Sequence, residues 1–126
     1  MPVHRHTDQA KCLTTLTVTG VFSPEEMLQA IEDLRDNPPT KNVLWDMREA
    51  SPANSFGAME MEELSSLANA SIGAQPEIKT ACVASSNFTF GMLRMYNTNL
   101  GFKCPARKIE VFRSLDDALK WLEIGN

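Results

Sequence analysis

The sequence predicts an α/β protein built on a mixed, mainly parallel sheet of about five strands with about four helices. Three times between Asn42 and Asn126, an apolar run of strand length is followed by an amphipathic stretch of helix length. Parallel neighbours in a sheet need a long crossover connection, and a helix is the usual one. The alternation therefore indicates consecutive βαβ units.

Length and composition favour one soluble domain. The chain has 126 residues, of which 43% are hydrophobic and 22% are charged, and a chain of this size can enclose one core. We therefore expect residues 1–126 to form a single domain. The formal net charge of −4 argues against a nucleic-acid partner, because binding to phosphates needs a basic face.

The sequence also predicts a cytoplasmic protein. Its longest apolar stretches are a few residues long, far below the ~18 residues that suggest a membrane span, and no apolar run follows the basic residues of the N-terminus. Cys12, Cys82 and Cys104 are odd in number and share no metal-ligand spacing. Unpaired cysteines fit a reducing compartment.

The first strands are predicted to form a β-hairpin. From Cys12 to Thr19, threonines alternate with Leu16 and Val18, which is the period of a strand with one wet face. Residues 3–7 can pair with this strand across a turn at residues 8–11. We expect the hairpin to lie outside the parallel part of the sheet.

The first helix is predicted from its capping residues. Ser23 is a candidate N-cap, Pro24 suits the first helical position, and Glu26 completes a capping box. The prolines of Asn37-Pro38-Pro39 end this helix, because proline cannot continue it. Its core-facing side chains are predicted to be Met27, Ile31 and Leu34.

The remaining elements follow in alternation. Val43-Leu44-Trp45 predicts a strand buried on both faces, which Asp46 closes, with an irregular segment from Arg48 to Ser55. We predict further helices over residues 57–69 and 90–100, the second ended by Gly101, further strands over residues 78–84 and 109–112, and a last helix capped by Ser114.

Three motifs resemble small bacterial STAS-like proteins. The run from Val43 to Arg48 resembles their strand that ends in Asp-x-Arg, and the run from Phe90 to Tyr96 resembles their Phe-Gly-x-x-Arg-Met helix. Residues 111–114 and 118–122 resemble their last strand and its Ala-x-x-Trp-Leu helix. The resemblance covers nearly the whole chain and implies the SpoIIAA-like fold.

The resemblance implies two kinds of function. In anti-sigma-factor antagonists of this fold, a serine after the Asp-ending strand is phosphorylated by a partner kinase. Related CRAL-TRIO domains enclose a lipid or another apolar ligand. This chain departs from both, because Asp46 is followed by Met47-Arg48-Glu49-Ala50 before Ser51 or Ser55 appears, and because 126 residues leave less helical cover than lipid-exchange domains have.

The candidate site lies where the predicted parallel strands end, since open α/β sheets bind ligands there. We predict ligand binding by Asp46, Arg48, Phe90 and Arg94, with the guanidinium groups holding an anion. The alternative is that Asp46 pairs with one arginine and has a structural role.

Ser55, and secondly Ser51, are candidate phosphorylation sites. A phosphate is electrostatically favoured at a helix N-terminus. The structural alternative is that Ser55 caps the helix that follows.

The methionines and phenylalanines near the same strand ends suggest an adaptable apolar surface or cleft, although such residues are more often core. They are Phe56, Met59, Met61, Phe88, Phe90, Met92 and Met95. No cofactor or metal site is predicted, because His4 and His6 have no third ligand nearby.

The leading hypothesis is a non-enzymatic binding or regulatory module whose partner is a protein or a small amphipathic ligand. The alternatives are a carrier of a small apolar or lipid-like molecule and a phosphoserine-switched regulator of the antagonist type. No nucleophile has an evident base, so an enzyme is disfavoured. Homodimerisation remains an open alternative.

Overall fold

A computed structural model describes residues 3–55, 57–74, 78–103 and 108–124. One five-stranded sheet has the order β1-β2-β3-β4-β5. Its strands are β1 (Val3–Asp8), β2 (Leu13–Phe22), β3 (Asn42–Pro52), β4 (Lys79–Val83) and β5 (Lys108–Phe112). β1 is antiparallel to β2, and all the other neighbours are parallel. The predicted mixed, mainly parallel sheet is confirmed.

The described helices are α1 (Pro24–Asp36), α2 (Ala58–Ala74), α3 (Asn87–Lys103) and α4 (Leu115–Trp121). Helices α1, α2 and α3 pack on one face of the sheet, where Met27, Leu64 and Leu93 meet Trp45 in the larger core cluster. Helix α4 packs on the other face through Ala118 and Leu122. Because successive strand residues point to opposite faces, β3 has buried side chains on both sides.

The capping predictions for α1 and α4 are confirmed. The Ser23 hydroxyl accepts a hydrogen bond from the Glu26 N–H at 3.2 Å, and the Glu26 carboxylate accepts one from the Ser23 N–H at 2.8 Å. Ser114 likewise accepts a hydrogen bond from the Asp117 N–H at 3.1 Å. These contacts satisfy amide groups that have no partner within the helix.

The expectation that the hairpin lies outside the parallel sheet is wrong for its second strand. β2 pairs with β1 as predicted, with Val3 opposite Val18, but it also pairs in parallel with β3 from Leu13 to Phe22. Leu16 and Val18 are buried in the larger core. β2 is therefore the strand at which the sheet changes from antiparallel to parallel.

Three predicted element ends are also wrong. β3 does not stop at Asp46 but continues to Pro52 after a register shift. α3 begins at Asn87 rather than Phe90 and passes through Gly101 to Lys103. An interior glycine costs a helix only about 1 kcal/mol, so packing can carry the helix past it.

We predict that Ser23→Ala lowers the free energy of unfolding by about 1 kcal/mol, because it leaves the Glu26 N–H without its acceptor. Urea unfolding measures this change. Ser66→Ala is the matched control, because Ser66 is exposed within α2 and alanine is a better helix former there. An equal loss in both variants would contradict a capping role for Ser23.

Candidate functional site

The strand ends β3, β4 and β5 meet the beginnings of α2 and α3 at one edge of the sheet. We call this region the rim and define it as residues 46–55, 57–60, 84–90 and 113. All four residues of the predicted ligand site lie at the rim or, for Arg94, one turn further along α3. The carboxyl ends of parallel strands meet at this edge, as the sequence indicated.

Asp46 and Arg48 form a local structural pair at a β-bulge. Thr17 lies opposite Asp46 and Thr19 lies opposite Glu49, so that two residues of β3 face one residue of β2. The Asp46 carboxylate accepts hydrogen bonds from the Arg48 side chain at 2.9 Å through Nε and at 2.9 Å through Nη2. It also accepts one from the Arg48 backbone N–H at 3.3 Å.

The ion pair with Arg48 stabilises the charged form of Asp46. Hydrogen bonds from the Arg48 guanidinium hold the pKa of the Asp46 carboxyl below its usual range, although partial burial acts in the opposite direction. The Asp46 side chain is 16% exposed and the Arg48 side chain 45% exposed. This geometry supports the structural alternative for Asp46, and the ligand-binding role of the pair stays a prediction.

The part of β3 beyond the bulge anchors the start of α3. The Ser85 hydroxyl donates a hydrogen bond to the Arg48 carbonyl at 2.7 Å, and the Thr89 hydroxyl donates one to the Ala50 carbonyl at 3.2 Å. Ser86 accepts a hydrogen bond from the Thr89 N–H at 3.1 Å, as an N-cap residue does. The beginning of α3 therefore has a fixed position beside β3.

Phe90 lies beneath two arginines. The Arg113 guanidinium carbon is 4.1 Å from the centroid of the Phe90 ring, and that of Arg94 is 6.0 Å away. Both distances are within the range of cation–π attraction. Arg113 also donates a hydrogen bond to the Asn87 side-chain oxygen at 2.7 Å. Within the described part of the chain, neither arginine forms a salt bridge with a carboxylate.

Sequence reasoning missed Arg113. Its signal was available, because Arg113 directly follows β5 and the same strand-end argument that selected Asp46 applies to it. The structure groups Phe90 with Arg94 and Arg113, and it groups Asp46 with Arg48. No hydrogen bond or ion pair between described residues joins the two groups.

The two candidate serines are exposed. Ser51 lies in β3 opposite Val21. Ser55 precedes α2, but Gly57 rather than Ser55 occupies the N-cap position, since α2 begins at Ala58. The Gly57 N–H donates a hydrogen bond to the Glu60 carboxylate at 2.8 Å. A carboxylate therefore already lies at the helix end where a phosphate would be favoured.

The predicted apolar set divides in two. Met59, Phe88 and Met95 are 75%, 74% and 53% exposed. Met61 and Met92 point inward and line a cavity between the helices and the sheet. Phe56 and Cys104 lie outside the described residues.

The described residues hold no group of three side chains suited to a metal ion. Among the helices described here, none is long and apolar enough to cross a membrane. His4 and His6 are exposed on β1.

No protein-family model matches the sequence, and no curated protein matches it. Solved structures do match. An anti-sigma factor antagonist from Mycobacterium paratuberculosis is 16% identical, with a TM-score of 0.59 over 96% of this chain and 94% of that one. An uncharacterised protein with a SpoIIAA-like fold from Shewanella loihica is 15% identical, with a TM-score of 0.55 over 95% and 91%.

A third similar structure is the Bacillus cell fate determinant SpoIIAA in its phosphorylated form. It is 12% identical, with a TM-score of 0.52 over 94% of this chain and 96% of that one. At these identities the similarity concerns the fold. The chain has the SpoIIAA-like fold, and the fold implied by the three sequence motifs is confirmed.

We predict that Arg48→Gln lowers the free energy of unfolding by about 0.5–1 kcal/mol at neutral pH, the range for a partly exposed pair. Because the pKa of Asp46 is lowered in the folded state, the pair contributes stability above pH 3.8, the usual value for this carboxyl, and loses it as the pH falls further. The difference between variant and wild type should therefore shrink in acid. Urea unfolding of both proteins, at neutral pH and again below pH 3.8, measures this difference.

Arg35→Gln is the control for this measurement, because the ion pair that Arg35 forms with the neighbouring Asp36 is exposed. We expect little change from it at either pH. A loss for Arg48→Gln that is the same in acid and at neutral pH would contradict the proposed dependence on ionised Asp46.

Proposed function

We propose that this chain is a non-enzymatic regulatory module that binds another protein through the rim. The single observation that carries the proposal is the exposure of three large apolar side chains, Met59 in the first turn of α2 and Phe88 and Met95 on α3. Covering these side chains with a partner is favourable, because it removes apolar surface from water. In this proposal the chain acts as one domain.

The composition of this surface suits a protein partner. Met, aromatic residues and arginine are enriched at protein interfaces, whereas lysine is depleted. Phe88 and Met95 are seven residues apart and so lie on the same side of α3, and Arg94 lies between them in the sequence. We use the name rim surface for Met59 and Phe88, which lie at the rim, together with Arg94 and Met95, which lie further along α3.

The positive charges of Arg94 and Arg113 indicate which chemical groups the partner presents. Arg94 and Arg113 lie at Phe90 without a carboxylate among the described residues. A partner that presents apolar side chains beside an acidic group would cover the exposed rings and thioethers and supply the missing negative charge. The anti-sigma factor antagonist among the similar structures supports the regulatory class.

A phosphoserine switch is a second candidate, and the exposure of Ser55 favours it. Ser55 is four residues before Met59, so a modified Ser55 would lie next to the rim surface in the chain. A phosphate there would meet the Glu60 carboxylate already bonded to Gly57. We propose that repulsion between the two anions would loosen the start of α2 and weaken partner binding.

The test compares variants purified from the natural host, with co-purifying protein measured by native mass spectrometry. Met59→Ser combined with Phe88→Ser should remove the partner and leave stability within about 0.5 kcal/mol, because both side chains are exposed. Val21→Ser is the matched control. Val21 is 67% exposed. Its neighbour Phe22 points toward α1, α2 and α3, so Val21 points to the other face of the sheet, away from the helices that carry the rim surface.

Retention of the same partner by the double variant would contradict the proposal, as would equal loss in Val21→Ser. A wild-type complex that contains only copies of this chain would also contradict it, because the surface would then be a homodimer interface. In the same series, Ser55→Glu should weaken partner binding if Ser55 is the switch, and unchanged binding would remove that candidate.

A further inference from the structure

A cavity of about 110 Å³ lies between the sheet and the layer formed by α1, α2 and α3. Its walls come from all three helices and from strands β2 to β5, so that it lies within the larger core cluster. It is separate from the exposed side chains of Met59, Phe88 and Met95, which do not line it. The rim surface and the cavity are therefore independent features.

The cavity lining is rich in sulfur and aromatic groups. Four methionines contribute to it, namely Met27, Met47, Met61 and Met92. Phe22, Trp45 and Tyr96 add aromatic rings, and no charged side chain is among the lining residues that the structure describes. Thioethers make favourable contacts with aromatic rings, and the flexible methionine side chain adapts to an occupant.

The size and polarity of the cavity indicate what it can hold. An apolar protein cavity of roughly 150 Å³ can stay dry and bind benzene, and the present cavity is of similar order. It is too small for a fatty-acid chain. A charged molecule would lose its hydration without finding an opposite charge in the lining.

Thr80, Cys82 and Tyr96 are the described lining residues that carry a hydroxyl or thiol group. Tyr96 is partly buried and packs against the larger core cluster. Burial raises its pKa above the ordinary value, and burial raises the pKa of the Cys82 thiol to about 12. Both groups are therefore neutral at physiological pH, so neither adds a charge to the cavity lining.

We propose that this cavity binds a small, neutral, monocyclic aromatic molecule, with its ring among the methionine sulfurs. The ligand class follows from the cavity volume and from the apolar, uncharged character of the described lining. This site does not depend on the proposed protein-binding role of the rim.

The experiment uses the full chain with ¹³C-labelled methionine methyl groups, titrated with benzene, phenol and benzoate and followed by NMR. Benzene and phenol should shift the methyl signals of Met27, Met47, Met61 and Met92. The exposed Met59 and Met95 should not shift, and they serve as internal controls. Benzoate should shift none of the four, because its charge would be buried without a partner.

A cavity-filling variant tests the location. Leu64→Phe places a larger side chain in the lining and should weaken benzene binding at least about tenfold, since it occupies the ligand's volume. Leu67→Phe is the matched control, because Leu67 is half-buried on the same helix outside the lining. Its benzene affinity should stay within about twofold of wild type.

Several outcomes would overturn the proposal. They are unshifted inward methyl signals up to the solubility limit of benzene, equal shifts of exposed and inward methyl signals, and unchanged benzene affinity in Leu64→Phe. If Leu64→Phe does not fold, the pattern of methyl shifts in the wild-type chain decides the question by itself.

Discussion

The contact between Asp46 and Arg48 is the local interaction on which the rim depends. The Asp46 carboxylate bonds both the guanidinium and the backbone N–H of Arg48, at the point where β3 gains an extra residue relative to β2. β3 can then continue to Pro52. Beyond the bulge, carbonyl groups of β3 accept hydrogen bonds from the hydroxyls of Ser85 and Thr89. These bonds fix the start of α3. Phe88 and Phe90 are thereby placed at the rim.

Much of the fold could be predicted because its signals are local. The capping box at Ser23 involves residues three apart, and the burial of Val43-Leu44-Trp45 follows from an uninterrupted apolar run. The length of β3 and the start of α3 could not be predicted in this way. They depend on a bulge against β2 and on two long-range hydrogen bonds. Ser85 bonds to Arg48, which is 37 positions away in the sequence, and Thr89 bonds to Ala50, which is 39 positions away. Arg113 could have been selected from its position directly after β5, but its contact with the Phe90 ring joins residues that are distant in sequence.

The same two helices contribute to two different features. Met59 and Met61 are two residues apart, so they point in nearly opposite directions from α2. Met59 is exposed at the rim, whereas Met61 is buried at the cavity. Methionines at the start of a helix can belong either to an exposed surface or to the core. The sequence alone does not distinguish the two, whereas the burial of each side chain does. The two features therefore occupy opposite sides of the same helices.

The central claim is that the rim surface is where another protein binds. The most direct test is site-specific photo-crosslinking in the natural host, with the photoreactive residue at position 88 or, for comparison, at position 21. We predict a crosslink to a different polypeptide from position 88 and not from position 21, with the attachment site mapped by mass spectrometry to an apolar segment beside an acidic residue. No crosslink from position 88, the same products from both positions, or a crosslink only to a second copy of this chain would contradict the account.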